Sequence, residues 1–388
     1  MTRHLTILAA AAVVLALALL AAPTGAAQAG SPEPYPGQVI CLPDAYLVTP
    51  SDCLPLGPSQ VLTDLARQGM SYPPKPLPGS KPPSELAISP VSVARINLDS
   101  NLPVNVYATL DDAAAGNSPT RTIAAGALRY VSYIQVALVN DNPYVMLKTG
   151  EWVRASPAGY PDLQGLVFRQ TPTAGFGWSL ETIQPFASPG DWGSQRGRTI
   201  TRWSTIQVFE TVVIDNMEWY RIGPDEWLPW QKARRVEVNT TPPAGVDNNR
   251  WIEVNLYNQT LAVYDNRQLV FASLVSTGID PFFTQPGLFQ IYQKKDLETM
   301  QGAFEADRSD YYYLEDVPWT MYFDKARALH GAYWNPFFGW NRTHGCVNLS
   351  IGDAAWLYQW AKEGDWVYVW DPSGETPTDP AFYGDGGA

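Results

Sequence analysis

The chain has 388 residues, 45% of them hydrophobic, including 15 Trp and 20 Tyr; this is enough apolar mass for two or three cores and excludes a disordered chain. A formal net charge of −12 argues against nucleic acid, and against anionic lipid, as a main partner. The many aromatics of this acidic chain suit either a polymeric, glycan-bearing ligand or the cores of small β domains.

Thr2-Arg3-His4 precedes an apolar run from Ile7 to Leu20, followed by the small-x-small pattern Ala27-Gln28-Ala29. This predicts a signal peptide over 1–29, with Gly30 as the first mature residue and no membrane association after cleavage. The apolar run is short for a membrane span. The expected location is the cell wall or the extracytoplasmic space, an oxidising setting in which Cys41 and Cys53 are expected to form a disulfide. They lie in a proline-rich spacer over 30–87, interrupted by a short helix over 60–68 that Ser59 caps and Gly69 ends.

Residues 88–238 read as short strands and turns that repeat. Ile134-Gln135-Val136, an Asn140-Asp141-Asn142 turn, Tyr144 to Leu147 and Glu151-Trp152-Val153 are echoed by Ile206-Gln207-Val208, an Asp215-Asn216 turn, Trp219 to Ile222 and Glu226-Trp227-Leu228. Two small β-barrels of SH3-like type or a β-sandwich would produce this pattern. Residues 239–250, with Pro242-Pro243, read as a linker into a block over 251–371 that carries its own core. There Ile252, Val254 and Leu256 alternate with polar residues, turns fall at Asn258-Gln259 and Asp265-Asn266, and an antiparallel meander is expected. Ser350, with Asp353 three residues on, predicts a helix over 354–362 ended by Gly364, then a strand over 366–370 and a loop-like tail over 372–388. The fold class is mainly β.

The segment His330 to Asn348, HGAYWNPFFGWNRTHGCVN, holds one of the three cysteines and two of the three histidines. A thiol attacks as its thiolate and needs an imidazole or a positive field nearby, and the only other histidine is His4. Any one of these residues alone would read as core filler; together in a glycine-punctuated, aromatic stretch they point to a reactive thiol at Cys346. Histidine pairs at metal-ligand spacing are missing from the sequence, so neither a metal nor another cofactor is expected.

Thr343-His344-Gly345-Cys346-Val347-Asn348, preceded by His330-Gly331, resembles the signature of the L,D-transpeptidase (YkuD) family. The resemblance covers about Trp251 to Trp370 and includes Ile252 to Leu256, Val275-Ser276-Thr277-Gly278 and Gln285 to Phe289. It implies a β-rich catalytic domain and a cysteine that attacks peptidoglycan stem peptides. In such enzymes a tetrapeptide stem loses its terminal D-alanine, and the resulting thioester passes to an amine on a second stem. The resemblance also implies acylation by a carbapenem.

On this basis Cys346 is the expected nucleophile, and His330, with a near-ordinary imidazole pKa, is the base that takes the thiol proton and returns it to the leaving amine. His344 is assigned to positioning the thiolate, and the amides around Gly345 and Cys346 to holding the oxyanion. Thr343 and Asn348 are expected to hold the loop. Many relatives place Ser, Thr or Asp after the first histidine. Here Gly331 stands there, so a backbone carbonyl or another side chain must orient the ring. Tyr333 and Trp334, with Phe337, Phe338 and Trp340, either wall a substrate channel or pack the loop down, and Arg342 either meets a stem-peptide carboxylate or is solvated.

Two alternatives stay open: an L,D-carboxypeptidase, in which water rather than an amine reaches the thioester, and a wall-binding protein with an inactive catalytic domain. Papain-like peptidases are disfavoured, because their cysteine precedes the histidine whereas His330 comes first here.

Overall fold

The structure, a computed structural model, describes residues 76–384 other than 306 and 309, together with positions 63, 65, 66 and 70. Residues 1–73 and 74–388 are separate units. In the first, Thr63, Leu65 and Ala66 are helical, inside the helix expected over 60–68. The signal segment and Cys41–Cys53 lie outside the described residues.

In the second unit the alternation of Ile252, Val254, Leu261 and Val263 builds the expected meander. Strands Arg250–Asn255, Thr260–Asp265 and Gln268–Leu274 pair antiparallel. Left-handed residues reverse the chain, Gln259 (φ 49°) at the first turn and Asn266 and Arg267 (φ 49° and 63°) at the second. Trp366–Trp370 lies parallel to Arg250–Asn255, and Gly287–Gln290 pairs with its far side. A second sheet holds a long hairpin, Gln293–Gly302 with Tyr312–Asp324, then Arg327–Gly331 and, parallel to that, Val347–Leu349. Ile252, Val254 and Phe271 of the first sheet share a core with Met321, Leu329 and Val347 of the second, and with Ala354 and Leu357 of the helix Ile351–Trp360. Ser350 caps that helix by accepting from the Asp353 N–H at 3.2 Å. It ends before Lys362 because Ala361 turns extended, and Lys294 Nζ takes the Tyr358 and Ala361 carbonyls at 2.6 Å each.

The repeat is real in its hairpins. Gln135–Val139 pairs with Asn142–Met146 through Asn140-Asp141 (φ 49° and 61°), and Glu210–Ile214 pairs with Met217–Gly223 through Asp215-Asn216 (φ 49° and 61°). Both central residues are left-handed in each turn, as a two-residue type I′ turn requires. Glu151 and Glu226, Trp152 and Trp227, and the two turns all stand 75 positions apart. Ile206-Gln207-Val208 is therefore not the counterpart of Ile134-Gln135-Val136. It stands 72 positions on and lies in Thr205–Val208, which pairs with Gly175–Ser179 instead of joining the hairpin. The modules keep distinct cores, one around Val106, Val131 and Val153, the other around Phe186, Trp219 and Leu228.

Sheets run across the changes in sequence character at 88, 239 and 251. Leu128–Tyr133 pairs parallel with Tyr312–Asp324 and antiparallel with Ser92–Arg95. Leu166–Phe168 adds to the edge of Gln268–Leu274, and Gly79–Ser80 adds to Leu166–Phe168. Buried Asp353 accepts from the Gly165 N–H at 2.8 Å and the Ser273 hydroxyl at 2.5 Å, and burial pushes its carboxyl up to about 6. Residues 239–250 are also tied down: Asn239 N donates to the Tyr264 hydroxyl at 2.9 Å, and Trp366 Nε1 to Asp247 at 2.9 Å.

Starting the chain at Asp247 removes two strand neighbours and a donor to Asp353, and uncovers Trp251 and Tyr264. The expected product is aggregation-prone and melts well below the full chain in circular dichroism, because exposed edges and apolar faces invite association. A cooperative melt at the full-chain temperature would show that the crossing strands contribute nothing.

Candidate active site

Parallel pairing sets Leu329 opposite Val347 and His330 opposite Asn348. Alternation then puts Ala328, His330, Cys346 and Asn348 on one face of two neighbouring strands, with Cys346 and His330 diagonal, about 8 Å apart at Cα by strand spacing and rise. This face floors a cavity of about 230 Å3. Trp334, Asn335, Pro336, Phe337 and Arg342 form one wall, and Leu128, Tyr312 and Leu314 another. Leu128 comes from the first β module, a contribution invisible in the sequence because it depends on the parallel pairing of Leu128–Tyr133.

Cys346 and His330 are only 2% and 1% exposed, and this governs their charge. Burial pushes the Cys346 thiol up to about 11, against the opposing pull of the Ala328 N–H, which donates to Sγ at 3.3 Å, and of nearby Arg327. Burial also drives the His330 imidazole down to about 4, so it does not keep the near-ordinary value expected from sequence. The pair is neutral at pH 7. His330 Nδ1 lies 3.3 Å from the Gly331 carbonyl, the orienting group that the missing Ser, Thr or Asp left open. With the proton on Nδ1 donated there, Nε2 is left unprotonated and able to accept a proton. Trp334 stacks on the ring at 5.6 Å.

The loop that carries Cys346 is stitched to Val275–Ile279. Ser276 and Asn348 exchange both backbone bonds, Arg342 N and Thr343 N donate to the Thr277 carbonyl at 2.9 and 3.1 Å, and Ile279 N donates to the Thr343 carbonyl at 3.0 Å. Close approach explains Gly278, whose Cβ would stand 2.0 Å from the Phe282 carbonyl oxygen. Gly345 adopts φ +117°, a region L side chains rarely enter. The Thr343 hydroxyl donates to the Cys346 carbonyl at 2.7 Å and accepts from the Gly345 N–H at 3.2 Å. Thr343 thus holds the loop, and the Gly345 amide, one of those expected to bind the oxyanion, is engaged within it.

Of the remaining expected residues, His344, Trp334, Arg342 and Asn348 line the cavity and Tyr333 does not. His344 packs among Phe282, Phe304 and Tyr312 at 5.0, 4.6 and 6.1 Å, with its imidazole held below the ordinary value by burial. Tyr333 is absent from the cavity lining. It is buried against Tyr130 and donates to the Glu315 carbonyl at 2.7 Å. Trp334 and Arg342 do line the cavity, the guanidinium of Arg342 lying 5.4 Å from the Phe337 ring. Asn348 also reaches it, and its buried Oδ1 has no hydrogen-bond partner. Sequence inspection missed Thr284, which accepts from Gly278 N at 3.0 Å and donates to the Gly345 carbonyl at 2.8 Å, and Arg327, whose Nε would stand 3.1 Å from a Cβ at Gly345. Neither carries a local signal, since each reaches the loop only through tertiary folding.

Residues 249–369 match the family model for the L,D-transpeptidase catalytic domain, YkuD. The putative L,D-transpeptidase YciB of Bacillus subtilis strain 168 is 22% identical over 153 residues, covering 33% of this chain and 73% of that protein. Among solved structures, an Enterococcus faecium L,D-transpeptidase is 22% identical over 32% of this chain, with TM-score 0.30, and this chain spans half of its length. An L,D-transpeptidase from Stackebrandtia nassauensis is 27% identical over 33% of this chain and 57% of its own, with TM-score 0.26.

Two outcomes follow from this geometry. Iodoacetamide should alkylate Cys346 faster by about tenfold per pH unit across the neutral range, since only the thiolate reacts and the thiol titrates near pH 11. A rate already level by pH 8 would mean a preformed thiolate. Thr343→Val strands the Gly345 N–H and the Cys346 carbonyl and should cost about 1–3 kcal/mol in thermal or denaturant unfolding. Unchanged stability would remove Thr343 from the loop's support.

Proposed function

Since residues 249–369 are an L,D-transpeptidase catalytic domain of the YkuD family, we propose that the chain uses Cys346 to acylate itself on peptidoglycan stem peptides and passes the acyl group to an amine. The observation that carries this is the placement of Cys346 and His330 on one face of two parallel strands, flooring a walled cavity. The apolar segment within 1–29 supports export to the wall, where the substrate lies.

The Cys346 thiol attacks the carbonyl of the third stem residue as His330 Nε2 takes its proton, which makes a C–S bond. The tetrahedral intermediate collapses, the amide C–N bond breaks, and the same proton goes to the departing D-alanine amine. An amine of a second stem then attacks the thioester carbonyl, giving an amide and restoring the thiol. Both residues are neutral in the resting site, so the proton moves with the attack and not before it.

Intact-mass detection of acylation by a carbapenem tests this assignment. Cys346→Ala should abolish the adduct, and His330→Ala should slow its formation by about 10²–10⁴-fold. The wild-type rate should be level through the neutral range and fall as pH approaches about 4, where His330 takes up a proton and ceases to be a base. An adduct persisting in Cys346→Ala would sink the nucleophile assignment. Mass spectrometry of products from tetrapeptide-bearing wall fragments separates amine transfer from hydrolysis.

A further inference from the structure

The cavity wall formed by residues 334–342 is held at two places. Its C-terminal limb is fixed within the catalytic domain, through Gly339 N to the Val275 carbonyl at 2.8 Å and the Ser276 hydroxyl to the Trp340 carbonyl at 2.6 Å. The tip is held by the second β module. Arg202 Nη2 donates to the carbonyl of Pro336, and its guanidinium lies 4.1 Å from the Trp203 ring, which in turn packs at 6.2 Å on Phe338. Phe338, fully buried, sits in a core with Phe176, Trp178 and Leu180. Behind the limb, the buried guanidinium of Arg234 is sandwiched 3.8 Å from Trp230 and 5.0 Å from Trp340, with Nη1 donating to the Trp230 and Ala233 carbonyls.

We propose that Arg202 and Arg234 are positioning residues for the acylation reaction: the second module sets the shape of the substrate cavity by fixing the wall at Pro336 and Trp340. Neither residue lines the cavity. They act through Pro336 and Phe337, which do, and through Trp334, which stacks on His330. A module with its own core, gripping the wall by a charged donor and an aromatic plug, passes any displacement of itself to the site. The kinetic part rests on the assignment of Cys346 as the acylated residue.

Arg202→Ala is the decisive variant because Arg202 is exposed, so its loss leaves the module's core intact. Hydrogen exchange of peptides spanning 333–343 should speed up at the Phe337, Gly339 and Trp340 amides, while the melting temperature and the iodoacetamide alkylation of Cys346 stay as in the wild type. The half-saturating carbapenem concentration should rise about tenfold, the worth of a hydrogen bond to a charged donor, with the limiting acylation rate less affected. Arg202→Lys, which keeps one charged donor, should recover most of the loss. Arg234→Met, which keeps the apolar packing between the two Trp rings, should shift both readouts the same way. Unchanged exchange over 336–340 in Arg202→Ala would overturn the proposal, as would an unchanged half-saturation constant. A wild type that carbapenem does not acylate would instead defeat the assignment of Cys346, and the exchange result would still decide whether Arg202 holds the wall.

Discussion

Strands Arg250–Asn255, Thr260–Asp265 and Gln268–Leu274 are buried on both faces, and the rest of the molecule is arranged around that constraint. Ile252, Val254, Leu261, Val263 and Phe271 face the core shared with the second sheet. Trp251, Ala262, Tyr264, Leu269 and Leu274 point the other way, where Phe176, Trp178 and Val236 cover them. A meander of this kind cannot stand alone in water, since one whole aromatic face would be exposed. Two-sided burial also reaches the polar residues: the Glu253 carboxyl, taken out of water, is pushed up to about 7 and keeps a hydrogen bond from Trp370 Nε1 at 3.1 Å. What covers the second face is the same module that grips the cavity wall through Phe338, so packing of the sheet and shape of the site are coupled.

Much of this was legible in the sequence where the signal was local. The meander turns, the Ser350 cap and the strand over 366–370 rest on residues adjacent in the chain, and each forms as expected. The clustering of Cys346 with His330 and His344 marked the candidate segment, and the ladder between Arg327–Gly331 and Val347–Leu349 brings its two ends together. The hairpin Gln293–Gly302 with Tyr312–Asp324 gave no such signal, because its first strand is largely solvent-facing and charged. The alternation over Ile252 to Leu256 was misleading in a specific way: polar residues at Glu253 and Asn255 imply a solvated face, yet both are buried. Roles that depend on distant partners, such as those of Thr284, Leu128 and Arg202, could not be read from a linear pattern.

The two copies of the repeated hairpin show how one local motif is put to different uses. Their turns have the same left-handed pair, and matching Glu-Trp residues open their third strands. The first copy continues backward into Leu128–Tyr133, which becomes part of a catalytic sheet, so that module joins by backbone hydrogen bonds and places Leu128 in the cavity. The second continues backward into Thr205–Val208, which pairs with Gly175–Ser179, and it meets the catalytic loop through side chains. Backbone pairing fixes register; side-chain contacts such as Arg202 to Pro336 leave more freedom to move. Of the cavity's two walls, the one that includes Leu128 is therefore the one placed by strand register.

The neutral resting pair at the cavity floor follows from the same burial. With the thiol pushed up and the imidazole pushed down by burial, proton transfer from Cys346 to His330 would be uphill if an ion pair were to form first. In the proposed reaction the negative charge that develops on the carbonyl oxygen during attack would partner an imidazolium at His330 and so shift that balance. Donors aimed at that oxygen then lower the cost of the oxyanion and of the proton transfer together. The raised Cys346 thiol leaves little thiolate at neutral pH, which slows its reaction with small electrophiles. In the proposed reaction the two walls, one joined by backbone pairing and the other gripped through Arg202 and Phe338, decide which substrates fit over Cys346.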